Sequence, residues 1–144
     1  MLKPYPRRVP TARGCVVRPG TAFYARGVNI HEFETEVDNV LASLPPWVVA
    51  RIDNVVFVVE RRPRHGQNPS GEPLLGLYEG VSLADRGVDY YAVTPDQITV
   101  FYDAHMALEL PDDELRMEIR TTVLHELGHH LGIDDDRLHE IGWS

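Results

Sequence analysis

Between His31 and Leu44 the apolar residues Phe33, Val37, Val40, Leu41 and Leu44 recur at the spacing of one helix face, and Pro45-Pro46 ends the pattern. The spacing predicts a core-packing helix. A short helical turn is expected at Trp47 to Arg51, with Trp47 assigned to the core. Asn54 to Glu60 follows, and its Val-Val-Phe-Val-Val run has the composition of a buried strand. Residues 61–73, with Arg61, Arg62, Arg64, His65 and several Pro and Gly, read as a long exposed loop, His65 included. Leu74 to Tyr78 and Ile98 to Tyr102 read as further strands, joined irregularly through Asp85, Gly87, Tyr90 and Tyr91. Pro111-Asp112-Asp113-Glu114 then marks a helix start, its acids at the positive end of the dipole. The stripe Leu115, Ile119, Val123, Leu127 and Leu131 gives that helix a buried face. These elements predict an α+β fold with a small mixed sheet packed on helices. Residues 1–27, rich in Pro, Gly and Arg and without either periodicity, are expected to be an extended arm ahead of a folded domain at 28–144.

The last predicted helix carries His125-Glu126-Leu127-Gly128-His129-His130-Leu131-Gly132-Ile133-Asp134-Asp135, which matches H-E-x-x-H followed by x-x-G-x-x-D. On a helix, His125 and His129 project from one face on successive turns and can share one zinc ion. Glu126 leaves the helix near the same edge, placed to act as general base on a water at the metal. Gly132 can take the left-handed conformation that ends a helix and turn the chain back, making Asp135 the third ligand. Three protein ligands leave an open fourth position, as hydrolysis requires. Asp134 and Asp136 compete for the third position, and spacing favours Asp135; Glu140 is a more distant alternative. His130 lies about 100° from His129 on the helical wheel and is expected to pack or support instead of binding metal. The stripe holds Leu127 and Leu131 but not the two ligand histidines, so the core can fix the helix while the imidazoles line a cleft. Tyr78, Tyr90, Tyr91 and His139 are the candidates for stabilising an oxyanion.

At 144 residues the chain suits one domain, and its apolar runs are too short to span a membrane. The N-terminus lacks the apolar core of a secretory signal, so a cytoplasmic protein is expected. The single cysteine, Cys15, excludes an intrachain disulfide and a Cys-based zinc cluster; as a thiolate it is a conceivable cap on the open zinc position. Lys3, Arg7, Arg8, Arg13, Arg18 and Arg26 all precede the first acid, Glu32. Eight basic residues then face twenty-two acids, a formal charge of −14 for the remainder. Such a body repels a phosphate backbone, so no nucleic-acid partner is expected; cationic substrates or partners are favoured.

His125 to Glu140, ending Asp134-Asp135-Asp136-Arg137-Leu138-His139-Glu140, resembles the small bacterial zincin-like metallopeptidases once filed as a domain of unknown function. These are minimal, metzincin-related proteins. Leu74-Leu75-Gly76-Leu77-Tyr78-Glu79-Gly80-Val81 and Ile98-Thr99-Val100-Phe101-Tyr102 are similar to the same family, so the likeness runs from about Val28 onward. The resemblance implies a compact zincin-like single domain, His125, His129 and Asp135 as ligands of Zn2+, Glu126 as base, and hydrolysis of a peptide or protein substrate. It also implies that an edge strand beside the active-site helix receives the substrate backbone, with Leu74 to Gly80 the candidate. The chain departs from metzincins proper, since its last methionine, Met117, precedes the motif. Two rivals remain at this level. A metal-dependent ribonuclease is disfavoured because Asp135 stands where its site has His and because Glu126 supplies a protease-type base. A non-catalytic, zinc-stabilised interaction protein would act through the arm or the acidic surface.

Overall fold

The computed structural model describes residues 27–91 and 94–144, so Cys15 and all but the last residue of the expected arm lie outside the described residues. The first helix, α1 (Ile30–Ala42), starts at a reciprocal cap. Asn29 accepts the backbone N–H groups of His31 and Glu32, and the Glu32 carboxylate accepts the Asn29 N–H at 2.8 Å. A single turn, α2 (Pro46–Val49), follows, with Pro46 at its first position where no amide hydrogen is required.

Three strands form one mixed sheet in the order β1-β3-β2: β1 (Val55–Glu60) pairs parallel with β3 (Asp96–Phe101), and β2 (Gly76–Glu79) pairs antiparallel with its other side. β3 is central and buried on both faces. Ile98 and Val100 meet the helices, while Phe101 packs with Leu74 and Leu77 on the far side. The chain then turns directly into α3 (Tyr102–Met106), so Tyr102 begins a helix instead of ending a strand. The backbone of residue 102 follows tertiary contacts: its hydroxyl donates to the Val28 carbonyl and its ring meets Phe33 edge-on at 5.5 Å.

The long helix α4 (Asp112–His130) lies across the sheet and against α1. Leu115, Ile119, Val123 and Leu127 are buried as their spacing requires. Burial of each such side chain contributes roughly 1.5–3 kcal/mol, which anchors the helix independently of its polar face. A last helix, α5 (Asp135–Glu140), lies after a tight turn.

Two further expectations are overturned. Trp47 is not in the core: it is 51% exposed and stacks on Trp143, with ring centroids 6.1 Å apart. The turn of α2 buries Val48, and Trp47, one position earlier, points outward. The valine run of β1 is not fully buried either, because β1 is an edge strand whose outer face leaves Val56 41% exposed. A continuous apolar run cannot tell which face a neighbour will cover.

Candidate metal centre

The last turn of α4 is shaped by Gly132, whose φ of +81° is the left-handed conformation an L side chain rarely adopts. The Gly132 N–H reaches the His129 carbonyl at 3.0 Å and the Ile133 N–H the Gly128 carbonyl at 2.9 Å, closing the helix with two of its own end carbonyls. Asp134 then caps α5 by accepting the Arg137 N–H at 2.9 Å, which engages one of the three candidate aspartates. Asp136 is exposed, and Glu140 pairs with Arg137 at 2.7 Å. Asp135, the first residue of α5, is the acid that turns back to α4.

His125 Nε2 and His129 Nε2 are 3.1 Å apart, and Asp135 Oδ1 lies 3.8 Å from the first and 3.6 Å from the second. In tetrahedral coordination with bonds of about 2.0–2.1 Å, ligand atoms stand about 3.3–3.4 Å apart. The triangle is close to that size. Asp135 Oδ1 is buried and receives no hydrogen bond from the described residues, so a cation shared with the two imidazoles would satisfy it. Burial holds the His129 pKa below the usual histidine value, with Asp135 opposing, which keeps a neutral imidazole at neutral pH, as metal ligation needs. The donor set, two imidazoles and a carboxylate, suits zinc.

Glu126 is fully buried on the flank of α4 that faces β2. That flank is open to it only because β2 begins with glycine: a Cβ on Gly76 would stand 2.8 Å from Glu126 Cγ, 3.0 Å from its Oε1 and 2.7 Å from Thr122 Cγ2. Gly128 serves the opposite flank, where Leu138 of α5 packs against the bare helix backbone.

His130 turns away from the ligand triangle into a buried network that its neighbours in sequence do not announce. Its Nδ1 lies 3.0 Å from Asp96 Oδ2 and its Nε2 accepts the Asp53 N–H at 3.3 Å. Asp96 also accepts from the Tyr78 hydroxyl at 2.6 Å, Arg86 at 2.9 Å and the Val81 N–H at 3.2 Å. Burial pushes the Asp96 carboxyl up, but the bonds from Tyr78, Val81, His130 and Arg86 outweigh it and leave its pKa below the usual carboxylate value. Burial also raises the Tyr78 pKa, reinforced by its bond to Asp96, and lowers that of His130 against the pull of Asp96. The site thus rests on an ion pair from β3 and the following loop of β2. Sequence reasoning missed Asp96 and Arg86 because their partners sit 10 and 34 positions away on other elements.

The suggested oxyanion stabilisers have the following partners and exposure. The Tyr78 hydroxyl is committed to Asp96, Tyr90 accepts from Asn54 at 3.0 Å, Tyr91 is 80% exposed and His139 lies beside Ser144. A depression of about 800 Å³ near the far end of β2, lined by Arg64, His65, Glu79, Tyr90 and Gln97 among others, contains none of His125, His129 and Asp135.

No curated protein matches this chain. The family model described as zincin-like metallopeptidase matches residues 52–143, which span the sheet, α4 and α5, and the chain belongs to that family.

Proposed function

We propose that the protein is a zinc-dependent peptidase in which His125, His129 and Asp135 hold the metal and Glu126 is the general base. The observation that carries this reading is the convergence of two imidazole nitrogens and one carboxylate oxygen within 3.1–3.8 Å, on the helix that also bears Glu126. A bound zinc supplies Lewis acidity to an attacking water and to the scissile carbonyl. Glu126 accepts the proton of that water and delivers it to the leaving amine. The core-anchored α4 holds these groups in fixed relation, so little reorganisation is needed during turnover.

The substrate is a peptide or protein segment. β2 is an edge strand beside α4, so an extended backbone can add to it through main-chain hydrogen bonds, a mode that reads side chains weakly. The net charge of −8 favours cationic segments over nucleic acid. No helix among the described residues is long and apolar enough to cross a membrane.

Elemental analysis of purified wild type and His129→Ala, followed by a peptide screen with Glu126→Gln as control, tests the reading. One zinc per wild-type chain and loss of zinc in His129→Ala are expected. Glu126→Gln should keep the metal while turnover falls by about 100- to 10,000-fold. Undiminished hydrolysis by Glu126→Gln would remove that residue from the mechanism.

A further inference from the structure

The segment after α5 returns to the metal centre by the same device that ends α4. Gly142 has φ +75°, its N–H reaches the His139 carbonyl at 3.1 Å, and the Trp143 N–H reaches the Leu138 carbonyl at 2.8 Å. The turn at Gly132 brings a carboxylate to the histidines. The turn at Gly142 brings a main-chain carbonyl: Trp143 O lies 3.2 Å from His125 Nδ1. A carbonyl only accepts, so Nδ1 must carry a hydrogen, and in the neutral ring Nε2 then presents its lone pair toward His129 and Asp135.

The Trp143 side chain is anchored as well. Its indole packs against the core cluster containing Val48, Leu124 and Leu127, and it stacks on Trp47 of α2 with ring planes 16° apart. This stack accounts for a large aromatic side chain left half exposed on α2. We infer that Trp143 is a positioning residue for the metal centre: its carbonyl sets the tautomer and ring orientation of His125, and its indole, clasped by Trp47, holds that carbonyl in place. The inference rests on the metal-centre reading. Partners of this kind, one bond removed from a metal, characteristically change metal affinity by about 10- to 100-fold when disturbed.

The test compares wild type, Trp143→Ala, Trp143→Phe and Trp47→Ala. Zinc dissociation constants are measured by competition with a chromophoric chelator, circular dichroism checks that each metal-free protein is folded, and a long-range proton–nitrogen spectrum reads the His125 tautomer in metal-free wild type. Trp143→Ala should bind zinc about 10- to 100-fold more weakly. Trp143→Phe, which retains a stacking ring, should remain within about threefold of wild type, and Trp47→Ala should fall between them. The wild-type tautomer should carry hydrogen on Nδ1. A folded Trp143→Ala with wild-type zinc affinity overturns the inference while leaving the metal centre intact, as does a wild-type His125 protonated on Nε2. Should Trp143→Ala fail to fold, the tautomer and the Trp143→Phe and Trp47→Ala affinities decide by the same criteria. A wild type that takes up no zinc sinks the metal-centre reading itself.

Discussion

Substituting alanine at Gly128 should damage the proposed metal site through a helix that carries only one of its three proposed ligands. A Cβ there would stand 2.2 Å from Leu138 Cδ2 and 3.2 Å from Leu138 Cδ1 and Cγ. Carbon contacts are favourable only near 3.5–4.0 Å, so the two groups must separate by more than about 1 Å. Leu138 is fully buried and cannot swing into solvent, so the shift falls on α5, whose first residue is Asp135. Glycine inside a helix costs about 1 kcal/mol relative to alanine, while overpacking costs about 1–3 kcal/mol, so the net loss of stability is about 0–2 kcal/mol. That corresponds to a fall in Tm of at most roughly 8 °C. The effect on zinc should be larger, because ligand distances tolerate only about 0.2 Å and a displaced Asp135 weakens binding by at least about tenfold. The assay is chelator competition together with thermal unfolding of metal-free protein, on Gly128→Ala, Leu138→Ala and the double variant. Leu138→Ala alone should lose about 2–5 kcal/mol to its cavity. In the double variant the new methyl occupies vacated space, so the loss should be smaller than the sum by about 1 kcal/mol or more and zinc affinity should recover. The reasoning is refuted by a strictly additive cycle, or by a Gly128→Ala protein that gains stability and binds zinc as wild type does.

Asp96→Asn removes the charge opposite Arg86, whose side chain is only 8% exposed, and should destabilise by about 3–5 kcal/mol in urea unfolding; a loss below 1 kcal/mol would show that the network contributes little. Because Asp96 titrates below its unfolded value, its contribution is present above about pH 4 and is lost as pH falls through the folded pKa. Wild type should therefore lose more stability between pH 5 and pH 3 than Asp96→Asn, and parallel curves would contradict this. Gly76→Ala should leave zinc stoichiometry at the wild-type level and lower kcat, since the methyl displaces Glu126 and an error of about 1 Å in such a group costs on the order of 100-fold. Full activity in that variant would mean that Glu126 or β2 yields without consequence.

The helices, the mixed sheet and the motif helix were legible in the chain because each depends on local periodicity. Phe33, Val37 and Val40 mark one face of α1, Leu115 to Leu127 one face of α4, and His125 and His129 share a face by helix geometry alone. Gly132 was legible too, since only glycine readily takes the left-handed turn that an ending helix uses here. Among Asp134, Asp135 and Asp136 spacing favours Asp135, and the cap agrees, because Asp134 accepts the Arg137 N–H and it is Asp135 that lies beside the histidines. Trp47 was misplaced because an apolar residue in a single turn has no period to show which side is covered, and its partner Trp143 lies at the far end of the chain. Asp96, Arg86 and the Trp143 carbonyl leave no sequence signal. Their roles arise where separate elements meet, and a main-chain carbonyl has no residue type by which to be recognised. Local pattern thus determined which groups could share a metal and which aspartate joins them, whereas contacts between distant segments decided where Trp47 packs, which carbonyl meets His125 and what braces the end of α4.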